Sequence, residues 1–178
     1  MKTHANLTRT ERIEHLKKQR RSDVALVLEN LDDEKNIAMI LRTAESFGVG
    51  KIYIIHSHKK PKLLLKESSG AIKWLKIVYF DSIFECLDGL KKEGFKSYGA
   101  LVNPEAAILW EQKFKGKVAL VMGNESKGLT EEAQKLVDNN LYLPMFGLTE
   151  SLNVAMSTGI FLYEIIRQKE YNSKVVRS

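Results

Sequence analysis

Three segments of this chain place polar side chains where apolar runs stop, and groups so placed can do chemistry. The first runs from Leu28 to Thr43 and contains Asn36 and Arg42. Asn36 stands where a helix N-cap would. Arg42, turned about 600° from it at ~100° per residue, points well away from its direction. Arg42 lies among apolar neighbours expected to face a sheet, and a guanidinium there, close to strand ends, is suited to holding phosphate. The plainer alternative is a surface arginine. The second segment, Val118 to Thr130, is an apolar run that ends in Gly123, Asn124, Glu125, Ser126, Lys127 and Gly128. Gly123 lets a ligand approach the backbone, as happens at the carboxyl ends of strands in open α/β sheets. Its alternative is a simple strand-to-helix turn. The third segment, Leu141 to Val154, holds Pro144, Gly147, Ser151 and Asn153. Pro144 ends a strand, Gly147 permits a tight turn, and Ser151 is a natural cap for the helix that follows. Asn153 is a poor helix former in an apolar run, which implies a hydrogen-bonding duty.

Other chemistries fare badly. Ser126-Lys127-Gly128 has the wrong order for a phosphate-binding Gly-Lys-Ser/Thr loop, and Gly48-Val-Gly50 precedes a strand where a dinucleotide fingerprint would follow one. His56 and His58 are close but have no cysteine or carboxylate cluster beside them, so no metal site is expected. Cys86 falls in an apolar helical pattern and reads as core. No Gly-x-Ser-x-Gly elbow occurs.

The elements that must position these segments follow from periodicity. Thr8 and Glu11 have capping-box spacing, so residues 8–21 read as a helix. Continuous apolar runs predict strands at 24–28, 51–55, 77–80, 96–101, 117–122 and 141–143. Helical spacing predicts helices at 36–47, 82–92, 131–137 and 152–167, with a short one at 69–74. Alternation of the two predicts an α/β fold with a mostly parallel sheet and helices on both faces.

With 178 residues, 44% of them hydrophobic, the chain can bury a proper core in one body. The single cysteine excludes an intrachain disulfide and fits a reducing compartment. No signal-peptide core opens the chain, and the uncharged stretch 151–163 is too short for a bilayer, so a cytoplasmic protein is expected. Of the net charge of +6, residues 1–22 carry +5, from seven basic and two acidic side chains. The organisation expected is therefore a basic helical arm at 1–22, a body at 23–170 and a short basic tail at 171–178. Such an arm suits an anionic partner, nucleic acid first, or serves as a solvated helix that keeps the protein soluble.

Taken together, the three segments resemble the SpoU/TrmH family of the SPOUT superfamily, RNA ribose 2′-O-methyltransferases that use S-adenosylmethionine. The stretches that carry the resemblance are Asn36 to Ala44 with Phe47 and Gly48, Ala119 to Leu129, and Leu143 to Gly147 with Ser151 to Val154. The resemblance implies a C-terminal trefoil knot holding the cofactor, and a homodimer whose active site draws on both subunits. It implies cofactor contacts at Ala100, Leu101, Gly123, Asn124, Leu143, Pro144, Met145 and Leu152. Arg42 matches the catalytic arginine, acting as general base or as a clamp on the 3′-side phosphate, and Asn36, Glu125, Ser151 and Asn153 match its polar supports. The segment Ser68 to Trp74 resembles members that methylate guanosine 18 in the D-loop of tRNA, although the C-terminal helical extension of those members is short here. Expected RNA contacts on the arm are Arg12, Lys17, Lys18, Arg20 and Arg21. Other outcomes are a wobble-nucleotide or ribosomal RNA enzyme, or an RNA-binding protein without catalysis.

Overall fold

A computed structural model describes residues 20–56 and 71–175, together with residues 8, 11, 61 and 68. Its strands are β1 (Arg21–Glu29), β2 (Val49–Ile55), β3 (Lys76–Phe80), β4 (Phe95–Leu101), β5 (Ala107–Ile108), β6 (Lys117–Met122) and β7 (Asn139–Tyr142). Its α-helices are α1 (Glu34–Ser46), α2 (Ile83–Lys92), α3 (Glu131–Leu136) and α4 (Val154–Val175). The strands form one sheet in the order β3-β2-β1-β6-β4-β7-β5, and every pairing is parallel.

A parallel sheet is covered on both faces, so its central strands carry unbroken apolar runs, as β1 does over 24–28 and β6 over 118–122. Alternate residues serve opposite layers. Val24, Leu26 and Leu28 join Ile37, Ile40 and Leu41 of α1 and Phe161, Leu162 and Ile165 of α4 in one core. Ala25 and Val27 join Ile83, Cys86, Leu87 and Leu90 of α2 and Ala133 of α3 in the other. Helices therefore cover both faces, as expected. Cys86 is core, and burial pushes its thiol up to about 12, so it is inert.

Helix starts differ from the sequence reading in two places that matter. Asp33, not Asn36, caps α1, its carboxylate accepting from Lys35 N at 2.7 Å. Asn36 is instead buried in the first turn, free to bond elsewhere. Ser151 does not cap the last helix. Asn153 does, its Oδ1 accepting from Ala155 N at 2.8 Å. The side chains of Asp33 and Asn153 each sit directly before their helix, the position from which a short acceptor reaches the orphan N–H groups.

The ends of the chain also depart from the expected boundaries. Thr8 and Glu11 make the reciprocal bonds of a capping box, with Thr8 N donating to Glu11 Oε2 at 2.8 Å and Glu11 N to Thr8 Oγ1 at 3.3 Å. Most of the helix read at 8–21 lies outside the described residues, and Arg21, its expected last residue, opens β1. At the other end α4 runs through Val175, past the helix end read at 167. The two meet: Asp23 pairs with Arg21 at 3.2 Å and Lys169 at 3.0 Å, and Arg21 also reaches Glu170 at 2.5 Å. Among the described residues no helix is long and apolar enough to cross a membrane.

Candidate active site

The carboxyl ends of the strands share one rim of the sheet, and β6 lies between β1 and β4, out of chain order. A crevice opens at such a switch point because the loops leaving neighbouring strands diverge. Here it is a cleft of about 570 Å³, a size that suits a small-molecule ligand. The ends of β4 and β6 contribute Ala100, Leu101 and Met122, and the loop after β6 contributes all of residues 123–129. Leu143, Met145, Glu150, Ser151 and Leu152 form a further wall, and Val154, Ser157 and Phe161 of α4 also line the cleft.

The loop 123–129 is a tight, self-bonded structure. Asn124 and Gly128 exchange backbone hydrogen bonds of 3.0 and 2.9 Å. Asn124 Oδ1 accepts from Ser126 N, Ser126 Oγ and Lys127 N, while its Nδ2 donates to Asn30 O at 2.7 Å and to Asp32 Oδ2 at 2.9 Å. Gly123 is required here by contact: a Cβ on it would lie 2.2 Å from the Gly128 carbonyl carbon. Its role is thus to let the loop close on itself, a duty sequence reasoning had given to ligand approach.

A line of side chains joins all three polar segments. Asn153 Nδ2 donates to Asn36 Oδ1 at 3.0 Å, and Asn36 Nδ2 donates to Glu125 Oε1 at 3.2 Å. The Glu125 carboxylate also accepts from the Asp32 and Asp33 N–H groups at 3.3 Å each, at the start of α1. Asn36 and Asn153 therefore stand behind the cleft, and Glu125 projects on its wall. This explains Asn36 better than capping did, because a buried amide needs partners for both ends.

Of the expected cofactor contacts, all except Pro144 line the cleft, and so does Ser151. Arg42 does not. It is exposed on α1, and its carbonyl accepts from Ser46 Oγ at 3.0 Å. The inner-face reading of Arg42 fails because the residues one and two positions away on a helix do not share its face. Arg20 lays its aliphatic stem over Gly50, and Arg21 is committed to Asp23 and Glu170 within the fold, not to an open phosphate-binding surface. Arg12, Lys17 and Lys18 lie outside the described residues. Sequence reasoning missed Lys127, Gln134, Glu150 and Phe161 as lining residues. Lys127 was legible inside the second segment, whereas Phe161 looks like any core residue of an apolar helix.

Among the described residues no three His, Cys, Asp or Glu side chains converge as metal ligands. A cleft at strand ends, walled by backbone and by the Glu125 carboxylate held in place, suits an organic ligand with cationic and apolar parts.

Comparison with known proteins agrees with this geometry. Residues 23–163 match the model of the SpoU rRNA methylase family. The tRNA (guanosine(18)-2′-O)-methyltransferase of Aquifex aeolicus is 32% identical over 91% of this chain and 77% of its own length. The 23S rRNA (guanosine-2′-O-)-methyltransferase RlmB of Xanthomonas axonopodis pv. citri is 33% identical over 82% of this chain, but only 59% of RlmB is spanned. Among solved structures, the A. aeolicus TrmH/SpoU tRNA modifying enzyme superposes with a TM-score of 0.85 at 31% identity, covering 92% of this chain and 85% of that one. An ordered set of strand-end motifs, a cleft built from them and a match across most of the chain lead to one conclusion: this chain belongs to the SpoU rRNA methylase family.

Proposed function

We propose that the chain is an S-adenosylmethionine-dependent methyltransferase that acts on a ribose 2′-hydroxyl of tRNA, guanosine 18 of the D-loop. The observation that carries this reading is the line from Asn153 through Asn36 to Glu125, which ends in a carboxylate on the cleft wall. Support for tRNA over ribosomal RNA comes from coverage. The guanosine-18 relative is matched over most of both chains, whereas much of RlmB has no counterpart here.

The residues present fit the cofactor. Leu101, Leu129, Leu143 and Phe161 offer apolar surface for an adenine, and Glu125 and Glu150 offer negative charge to a sulfonium and an ammonium. Lys127 offers the opposite charge to a carboxylate. When bound, the cofactor supplies an electrophilic methyl group. The backbone ends at Ala100, Leu101, Gly123, Leu143 and Met145 hold it, with Asn124 fixing the loop and Leu152 closing the rim. Pro144 shapes the turn between Leu143 and Met145.

Arg42 grips the phosphate on the 3′ side of the target ribose and aligns the hydroxyl for in-line attack, and that phosphate helps to accept the proton. A guanidinium that keeps its proton has no lone pair to offer a hydroxyl proton, so clamping fits its chemistry better. Because Arg42 is exposed and absent from its own cleft, it serves the cleft of a second subunit, with Ser151 at the lip. The exposed Met39 of α1 and Met156 and Tyr163 of α4 supply an apolar face for that homodimer. The trefoil knot belongs to the same reading: segment 143–153 leads the chain from β7 to Val154 and Ala155, which are buried in the core beside β6. The basic residues Arg12, Lys17, Lys18 and Arg20 steer tRNA to the site.

Two assays test the reading. Titration calorimetry should show one S-adenosylmethionine bound per chain, and mapping should place a single 2′-O-methyl group at guanosine 18 of tRNA. Transfer to ribosomal RNA alone would overturn the substrate, and absence of cofactor binding would favour RNA binding without catalysis.

A further inference from the structure

Glu29 is the last residue of β1, and at 1% exposure it is as buried as the core around it. A carboxyl group in such a place must be hydrogen-bonded, and both of its oxygens are used on one residue. Oε2 accepts from Thr130 N at 3.0 Å and Oε1 from Thr130 Oγ1 at 2.6 Å. Thr130 Oγ1 in turn accepts from Ala133 N at 3.1 Å, which starts α3. Thr130 is the residue at which the cleft loop 123–129 ends.

The loop is thus fixed at both ends by neighbouring strands. Its entry, Gly123, continues from β6, whose Met122 pairs in register with Leu28 of β1. Its exit is drawn back to the next residue of β1, Glu29. That pull holds Gly128 and Leu129 against Gly123, where a Cβ would come within 2.3 Å of Leu129 N. Neighbours of Glu29 grip the start of the loop, through Asn30 O and Asp32 Oδ2 on Asn124. Those contacts reach residues that themselves line the cleft. Glu29 does not line it and acts only through Thr130.

We propose that Glu29 is a positioning residue for the cofactor, setting the Gly128–Leu129 wall of the cleft through its paired bonds to Thr130. The proposal rests on the reading of the cleft as the S-adenosylmethionine site. In Glu29→Gln the amide oxygen can keep the Thr130 N–H, but the amide N–H then faces the Thr130 hydroxyl, whose oxygen already accepts from Ala133 N, so the short hydroxyl-to-carboxylate bond is exchanged for a weaker, reversed one. Thr130→Val removes the hydroxyl alone, and Thr130→Ser keeps it.

The test measures S-adenosylmethionine affinity by calorimetry, KM for each substrate, kcat, and thermal unfolding, on the full chain. Glu29→Gln and Thr130→Val should each weaken cofactor binding on the order of tenfold, with the KM for tRNA and kcat at saturating cofactor within about twofold. The double variant should be no worse than the weaker single one, because both remove the same coupling. Thr130→Ser should restore wild-type affinity. Equal cofactor affinity in folded Glu29→Gln or Thr130→Val protein would overturn the proposal, as would a parallel loss in both substrates. Should Glu29→Gln fail to fold, the Thr130→Val and Thr130→Ser pair decides alone. A wild-type protein that binds no S-adenosylmethionine would instead sink the functional reading on which the proposal rests.

Discussion

Two loops line the same cleft and are held in opposite ways. Residues 123–129 are bonded to themselves and, through Asn124 and Glu125, to the segment after β1. Residues 143–152 have no such ties among the described residues, and they expose Phe146 and Leu148 at 91% and 105%. Phe146 stacks on the exposed Trp110 with ring centroids 6.5 Å apart. The contrast teaches where preorganisation has been built in. A wall already fixed by the fold asks for little ordering when a ligand binds. A wall that holds large apolar side chains in water gains by being covered, which a second subunit would do.

The largest effect should come from Arg42, which belongs to neither loop. Arg42→Ala should lower turnover by at least about 10³-fold and leave cofactor affinity within a few-fold, and Arg42→Lys should fail for want of the planar fork. Mixing Arg42→Ala protein with Glu125→Ala protein sharpens the point. If the open loop is where a partner docks, hybrid dimers should regain activity that neither parent shows, measured as methyl transfer after subunit exchange. No recovery would place Arg42 and Glu125 in one subunit's site.

Next in size is a direct comparison of the loops through their glycines. Gly123→Ala drives a Cβ into the Gly128 backbone, whereas a Cβ on Gly147 meets nothing within 4 Å. Gly123→Ala should cost about 2 kcal/mol of stability and weaken cofactor binding about 100-fold. Gly147→Ala should change stability by less than about 0.5 kcal/mol. Thermal unfolding with and without cofactor reads both. Equal behaviour of the two variants would erase the distinction between the loops.

Asn153 joins the open segment to the fixed one, so its loss should be intermediate. Asn153→Ala removes the cap on α4 and the bond to Asn36, and should cost about 1 kcal/mol in denaturant unfolding. Asn153→Asp keeps the capping acceptor and loses the donor to Asn36, so stability should hold while turnover falls.

The smallest effect lies away from the cleft, where β1 meets α4. Partial burial alone would raise the Asp23 carboxyl, but hydrogen bonds from Lys169 and Arg21 outweigh it and hold it below the ordinary aspartate value. A carboxylate depressed in the folded state stabilises above its unfolded pKa of about 3.9, and that contribution is lost as pH falls through the folded value. Stability measured from pH 5 downward should therefore fall less steeply in Asp23→Asn than in the wild type.

How much of this was legible in the sequence differs between the fold and the site. The strands announced themselves because a strand covered on both faces is apolar at every position, as Val24 to Leu28 and Val118 to Met122 are. Helix caps were harder. Asp33 and Asn36 are both good cap residues within about a turn of each other, and Ser151 and Asn153 stand closer still, so pattern alone could not rank them. Arg42 was misplaced because neighbours in sequence are not neighbours on a helix face. Glu29 escaped notice because a charged residue after an apolar run reads as the start of a loop, and only the 101-residue separation of its bond to Thr130 reveals its use. Pro144 stands beside the lining and not in it, a distinction of backbone path that residue type does not carry.

The central claim is that this cleft directs methyl transfer to one ribose hydroxyl. The most direct measurement compares transfer from labelled S-adenosylmethionine to two synthetic tRNAs that differ only in having guanosine or 2′-deoxyguanosine at position 18. The account predicts one methyl group per molecule on the first and none on the second. Equal labelling of both would contradict it.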